Sequence, residues 1–261
     1  MLVSNQRLFE QNLVTNKGVK LMYINQMIDM FHHLYGRRNR LCFPFGLHEV
    51  LLLMSQSFSK LARSLRKNDP PEIIEVRLAN AVAWFCGVVN YFDDLPFTDT
   101  FAGKYGKMKC PYCEERYCLC EPGWRPELKN PPFETMTTDG EHKKLLSWWC
   151  YHFETMYGKR NQNDGIYRVI AHLTEEVQEV LALTALTAYK PNNLNELERE
   201  FALELADVFA HLIAIANFKK VDLAATIEKH YGQGCPICRT KPCQCPRLMI
   251  VKDVVQRIGS E

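Results

Sequence analysis

Excess charge is almost absent from this chain. Its 261 residues carry 32 Lys and Arg against 30 Asp and Glu, a formal net charge of +2. A balance that even exerts no global pull toward nucleic acid or a membrane surface. Long apolar runs are missing as well: none reaches the roughly 20 residues that a membrane helix needs. The opening segment, MLVSNQRLFEQN, has no basic stretch followed by an apolar one, so no signal peptide is expected. The expected location is cytoplasmic, with no membrane partner. Strand-like alternation of apolar and polar residues is also absent, which leaves an all-α fold.

Cysteine, by contrast, is plentiful at 11 residues. Cys110, Cys113, Cys118 and Cys120 share the spacing CxxC, four residues, CxC with Cys235, Cys238, Cys243 and Cys245. In a reducing compartment such quartets read as tetrahedral thiolate sites, zinc before iron–sulfur, with disulfides the minor reading. All thiolates would be used, so no position stays open for catalysis and the zinc is expected to be structural. The sharper alternative is a loop that contacts nucleic acid or a partner protein through Arg116, Arg239, Lys241 and Arg247. Cys42, Cys86 and Cys150 stand among apolar residues and read as small buried hydrophobes.

The quartets belong to a larger repetition. FHHLYGRRNR (Phe31 to Arg40) returns as FETMYGKRNQ (Phe153 to Gln162), and KYGKMKCPYC (Lys104 to Cys113) returns as HYGQGCPIC (His230 to Cys238). The chain therefore divides into one copy over 20–120, a linker over 121–140 that holds four prolines, and a second copy over 141–261. Apolar spacing predicts helices at about 20–34, 47–66 and 71–91 in the first copy, with a short segment before Cys110. In the second it predicts helices at 141–156, 164–189, 194–218 and 223–230. Asp164 is the expected N-cap of the helix that follows it, and Pro191 its stop.

Only the second copy keeps a full set of acids. Glu176 and Glu179 share one helix face, and Glu204 and Asp207 share another, with His211 one turn further on. Each pair borders an apolar stripe, so two antiparallel helices would bring four carboxylates to the rim of the core. Acids so close need cations, and all-oxygen ligands favour Mg²⁺ or Mn²⁺. Because Mg²⁺ keeps waters and binds phosphates, a phosphorylated substrate follows. The plainer alternative is a pair of solvated helix faces. In the first copy Glu49 survives, but Leu52, Leu78 and Ala81 replace the other acids, and no catalysis is expected there.

EExxE (Glu175 to Glu179), followed after 24 residues by ExxD (Glu204 to Asp207), resembles the motif pair of the MazG-like all-α nucleotide pyrophosphohydrolases. The resemblance spans Phe153 to Tyr231 and, in weakened form, Phe31 to Tyr105. It implies Mg²⁺ (or Mn²⁺) held by Glu176, Glu179, Glu204 and Asp207, with Glu175 behind them or activating water. It also implies hydrolysis of a nucleoside triphosphate to monophosphate and pyrophosphate. Family members dimerise, so the two copies are expected to form an intramolecular pseudo-dimer, as a monomer or within a homo-oligomer. The two zinc sites lie outside the family pattern. The alternative function is a non-catalytic nucleotide sensor or a zinc-dependent nucleic-acid or protein adaptor.

The repeated YG(K/R)RN element has two readings. Gly36 and Gly158 suit a left-handed helix end, with basic residues completing the cap. Equally, Lys159, Arg160 and Asn161 could hold substrate phosphates, and Arg37 or Arg38 could reach the site from the other copy. Lys219, Lys220 and Lys229 read as solvated helix-end charges.

Overall fold

The computed structural model describes residues 21–42, 46–120, 144–187 and 194–245. Within these residues the fold is all-α, and the one extended contact is an antiparallel bridge between Tyr23 and Leu145. Helix α1 (Ile24–Phe31) passes through a π-helical turn (His32–Gly36) into α2 (Arg37–Cys42). Helices α3 (Leu47–Lys67), α4 (Pro71–Val89) and α5 (Phe97–Tyr105) complete the N-terminal half. The C-terminal half contains α6 (Leu146–Asp164), α7 (Ile166–Thr187), α8 (Leu194–Phe218) and α9 (Leu223–Tyr231).

Local chemistry sets several of these ends. Asn68 closes α3 in the left-handed region, at φ 53° and ψ 45°, a conformation that Asn tolerates better than most residues. Pro71 opens α4, where its missing N–H would have had no helical partner. Asp222 caps α9 by accepting a hydrogen bond from the Ala225 N–H at 3.0 Å.

Two expectations about helix ends are corrected. Gly158 lies inside α6 and Gly36 inside the π-helical turn, so YG(K/R)RN is a helical segment in both halves rather than a left-handed cap. Asp164 ends α6 instead of capping α7; the break falls at Gly165, whose φ of 79° suits glycine. The proposed linker at 121–140 and the stop at Pro191 lie outside the described residues, as do Arg247 and the Cys42 side chain.

Helices α3 and α4 pack along each other, as do α7 and α8, and α6 lies on α8. The last short helix of each half crosses over: α5 packs on α8, and α9 packs on α4. One apolar core therefore runs through both halves. At its centre Phe209 of α8 stacks on Phe85 of α4 at 5.1 Å and meets Phe101 of α5 edge-on at 5.3 Å.

Averaged over its length, Leu197–Phe218 is apolar enough to cross a membrane, although Glu204 and Asp207 interrupt any continuous apolar run. In this fold 72% of that stretch is buried against other helices, the position of a core helix.

Candidate active site

Helices α7 and α8 bring Glu176, Glu204 and Asp207 together, with one carboxylate oxygen from each lying within 4.8 Å of the others. Glu176 and Asp207 are buried and Glu204 is half-buried. Burial, followed by the charges of Asp207 and Glu179, pushes the Glu204 carboxyl up to about 8. Helical spacing accounts for the convergence: Glu204 and Asp207 are three residues apart on α8, and Glu176 faces them from α7.

A cation from the other half already touches this cluster. Lys104, near the end of α5, places its Nζ 2.6 Å from Asp207 Oδ2, with the two side chains only 7% and 10% exposed. Its neighbour Tyr105 donates its hydroxyl proton to Asp207 Oδ1. Lys104 lowers the Glu204 carboxyl, yet that carboxyl still stands near 8. One ammonium does not balance three clustered acids, and a divalent cation with oxygen ligands suits the remaining charge.

A cavity of 490 Å³, within the range of small-ligand sites, is lined by Glu176 and Asp207 of the trio, and Glu204 is not among its lining residues. Glu175 and Glu179 are exposed on its wall, outside the tight trio. Glu175 Oε2 lies 2.9 Å from His172 Nδ1, while His211 Nε2 lies 3.7 Å from Glu176 Oε1. The two imidazoles stack at 5.9 Å. The same lining holds Arg160 and Asn161 of α6 and Arg168 of α7, the helix that also carries Glu175, Glu176 and Glu179, so cations and acids share the cavity.

Of the predicted substrate contacts, Arg160 and Asn161 line this cavity, whereas Lys159 points to solvent. Arg37 is exposed, and Arg38 lines a different cavity, because the YGRRN segment of each half faces the cysteine loop of the other. Lys229 pairs with Glu75 at 2.8 Å. Motif reading missed Arg168 and His172 of α7 and, on α5, Lys104 and Tyr105. The repeated KYG and HYG segments were the signal for the α5 pair, but sequence alone did not say that the segment of one half serves the acids of the other.

The cysteine quartets each gather into a cluster, with all four sulfurs within 4.8 Å of one another. Cys110 Sγ lies 3.6 Å from Cys118 Sγ and 3.8 Å from Cys120 Sγ; Cys235 to Cys245 is 3.7 Å and Cys238 to Cys243 is 3.8 Å. A tetrahedral zinc with Zn–S near 2.3 Å sets its sulfurs about 3.8 Å apart. Disulfide sulfurs sit near 2 Å, so both quartets are reduced and, once deprotonated, could hold zinc.

The two loops share further details. The residue after each CxxC takes a left-handed conformation, Glu114 at φ 57° and Arg239 at φ 61°. Backbone N–H groups of Leu119 and Gln244 point at Cys113 and Cys238 Sγ, at 3.5 and 3.4 Å. Within each loop, hydrogen bonds acidify particular thiols. Cys118 is lowered chiefly by the bond from Cys110, and Cys238 falls to about 5, chiefly through the Thr240 hydroxyl.

Each loop docks on the opposite half. Cys118 N–H donates to Met156 O, and Cys243 N–H to Leu34 O, both at 2.9 Å. Arg160 Nη1 donates to Cys118 Sγ at 3.3 Å, and Arg38 Nη1 to Cys243 Sγ at 3.6 Å. Of the other cysteines, Cys86 is buried as expected and Cys150 is half-buried. Comparison with protein-family models, curated proteins and solved structures returns no match to this chain.

Proposed function

We propose that the chain is a Mg²⁺-dependent nucleoside triphosphate pyrophosphohydrolase whose active site is the acid-lined cavity. The observation that carries this reading is the carboxylate trio, whose member Glu204 stays near 8 even with Lys104 beside it. Glu176, Glu204 and Asp207 would hold the metal, with Glu179 at the mouth. There Mg²⁺ (or Mn²⁺) would supply Lewis acidity toward phosphate oxygens and water.

The protein's own groups do the rest. Arg160 and Arg168, which line the same cavity, offer guanidinium forks to the phosphate chain. Lys104 and Tyr105 fix the Asp207 carboxylate in one orientation. His172, bonded to Glu175, and His211, beside Glu176, would be the groups to accept a proton from the attacking water. The reciprocal docking of α5, α9 and the cysteine loops supports the reading of an intramolecular pseudo-dimer with one catalytic member. In that arrangement both quartets hold structural zinc.

A panel of ribo- and deoxyribonucleoside triphosphates, assayed for pyrophosphate with Mg²⁺ or Mn²⁺, tests the function. Release of monophosphate and pyrophosphate from at least one is expected, and silence across the panel sinks the reading. Glu176→Ala and Asp207→Ala are each expected to abolish turnover while zinc content stays intact.

The ion pair between Lys104 and Asp207 favours one second reading, a non-catalytic nucleotide sensor or adaptor in which the protein neutralises its own acids. Salt-dependent binding of DNA or RNA that survives loss of the carboxylates would select it.

A further inference from the structure

The fold contains a second cavity, of 430 Å³, whose lining includes Arg38 and Asn39 of α2 and several side chains of α3 and α4. Arg38 and Asn39 hold the places in their motif that Arg160 and Asn161 hold beside the acids. The chemistry of the walls is reversed. Three cations, Arg38, Lys60 and Arg77, line this cavity, and among the described residues no carboxylate does. A phosphate beside the carboxylates of the other cavity needs a metal between, whereas the charged side chains that line this one are positive.

Arg38 points to what the cavity takes. Its Nη1 donates to Cys243 Sγ, but its Nε and Nη2 are buried with no hydrogen-bond partner among the described residues. A guanidinium held by one nitrogen, with two donors left over and shut off from water, lacks oxygen acceptors, and a turn of the side chain toward the cavity it lines would give it the paired oxygens of a phosphate. The same cavity has an apolar side that includes the indole of Trp84, a surface on which a planar base can stack. Its volume fits one small molecule rather than a polymer.

We infer that this cavity is a second, metal-independent nucleotide site, taking a nucleoside monophosphate with its phosphate on Arg38 and its base against Trp84. The site stands apart from the hydrolysis proposed for the other cavity and does not rest on it. Occupancy would secure Arg38, and through Cys243 the cysteine loop that docks on this half.

The test is calorimetric titration of the full-length, zinc-loaded chain in buffer without added divalent metal. The probes are AMP, CMP, ribose 5-phosphate and inorganic phosphate. At least one nucleotide is expected to bind about tenfold or more tightly than inorganic phosphate or ribose 5-phosphate. Arg38→Met and Gln56→Glu are each expected to weaken that binding about tenfold, whereas Glu176→Gln leaves it in place. Gln56 lines the cavity, so its replacement adds a repelling charge without removing a contact of Arg38 and decides the matter where Arg38→Met fails to fold. The inference is overturned when neither nucleotide binds, when inorganic phosphate or ribose 5-phosphate binds as tightly as the nucleotides, or when Gln56→Glu binds like the native chain.

Discussion

At the scale of single residues, Glu204 is strongly shifted in its titration by burial and by its neighbours. Its carboxyl stands near 8 against an ordinary 4.5, so the folded, metal-free chain holds this proton more tightly than the unfolded chain does. The stabilisation from that proton is full below pH 4.5 and is lost as the pH rises through about 8. A cation that binds the trio must displace the proton. Apparent Mg²⁺ affinity is therefore expected to fall about tenfold for each pH unit below 8. Thermal melts with and without Mg²⁺ at about pH 6.5 and about pH 8.5 check this, and a Mg²⁺-induced shift equal at both would reject it. Lys104 and Tyr105 act on the site by holding Asp207. Lys104→Met and Tyr105→Phe are expected to cost roughly 10–100-fold in turnover at unchanged zinc content, because both release the Asp207 carboxylate. Native kinetics in both variants would remove them from the site.

At the scale of elements, the two cysteine loops are alike in backbone and differ in what they support. The Cys110 loop carries Cys118, which holds Arg160 at 3.3 Å on the wall of the acid-lined cavity. The Cys235 loop carries Cys243, which holds Arg38 in the other cavity. Cys118→Ser and Cys243→Ser are each expected to lose one zinc equivalent by metal analysis and to lower the melting temperature. Only Cys118→Ser is expected to raise KM for the nucleotide triphosphate, by roughly tenfold, because it alone releases a guanidinium facing that substrate. An equal change in KM from both variants would assign the loops a purely structural role. Helix α8 was legible in sequence from its apolar rhythm, and Glu204 with Asp207 from their spacing. The continuation of α6 through Gly158 was not legible, because a glycine followed by basic residues also fits a helix end.

At the scale of the molecule, the crossing of α5 and α9 makes each half depend on the other. Phe209 draws side chains of α4 and α5 onto α8, so Phe209→Ala is expected to destabilise the whole chain by about 3–5 kcal/mol. Urea unfolding followed by circular dichroism is expected to show a single transition, moved to lower denaturant. Two separate transitions, one of them unmoved, would mean independent halves. Residues 141–261 produced alone are expected to lack native turnover, since Lys104 and Tyr105 are missing and the surface under α5 is exposed. Full activity in that fragment would overturn the shared site.

The sequence by itself determined most of the long helices, two four-cysteine quartets spaced as metal sites are, and the half that holds the acids. Those are local properties, set by apolar period, by CxxC and CxC spacing, and by acids three residues apart on a helix. The tertiary structure decided that Glu176, Glu204 and Asp207 close into a trio while Glu179 stays at the mouth. It also decided that Lys104 and Tyr105 reach Asp207 across the halves and that Arg38 serves a cavity of its own. These follow from how helices cross, and crossing depends on the packing of a core that both halves share, where residues far apart in sequence come into contact.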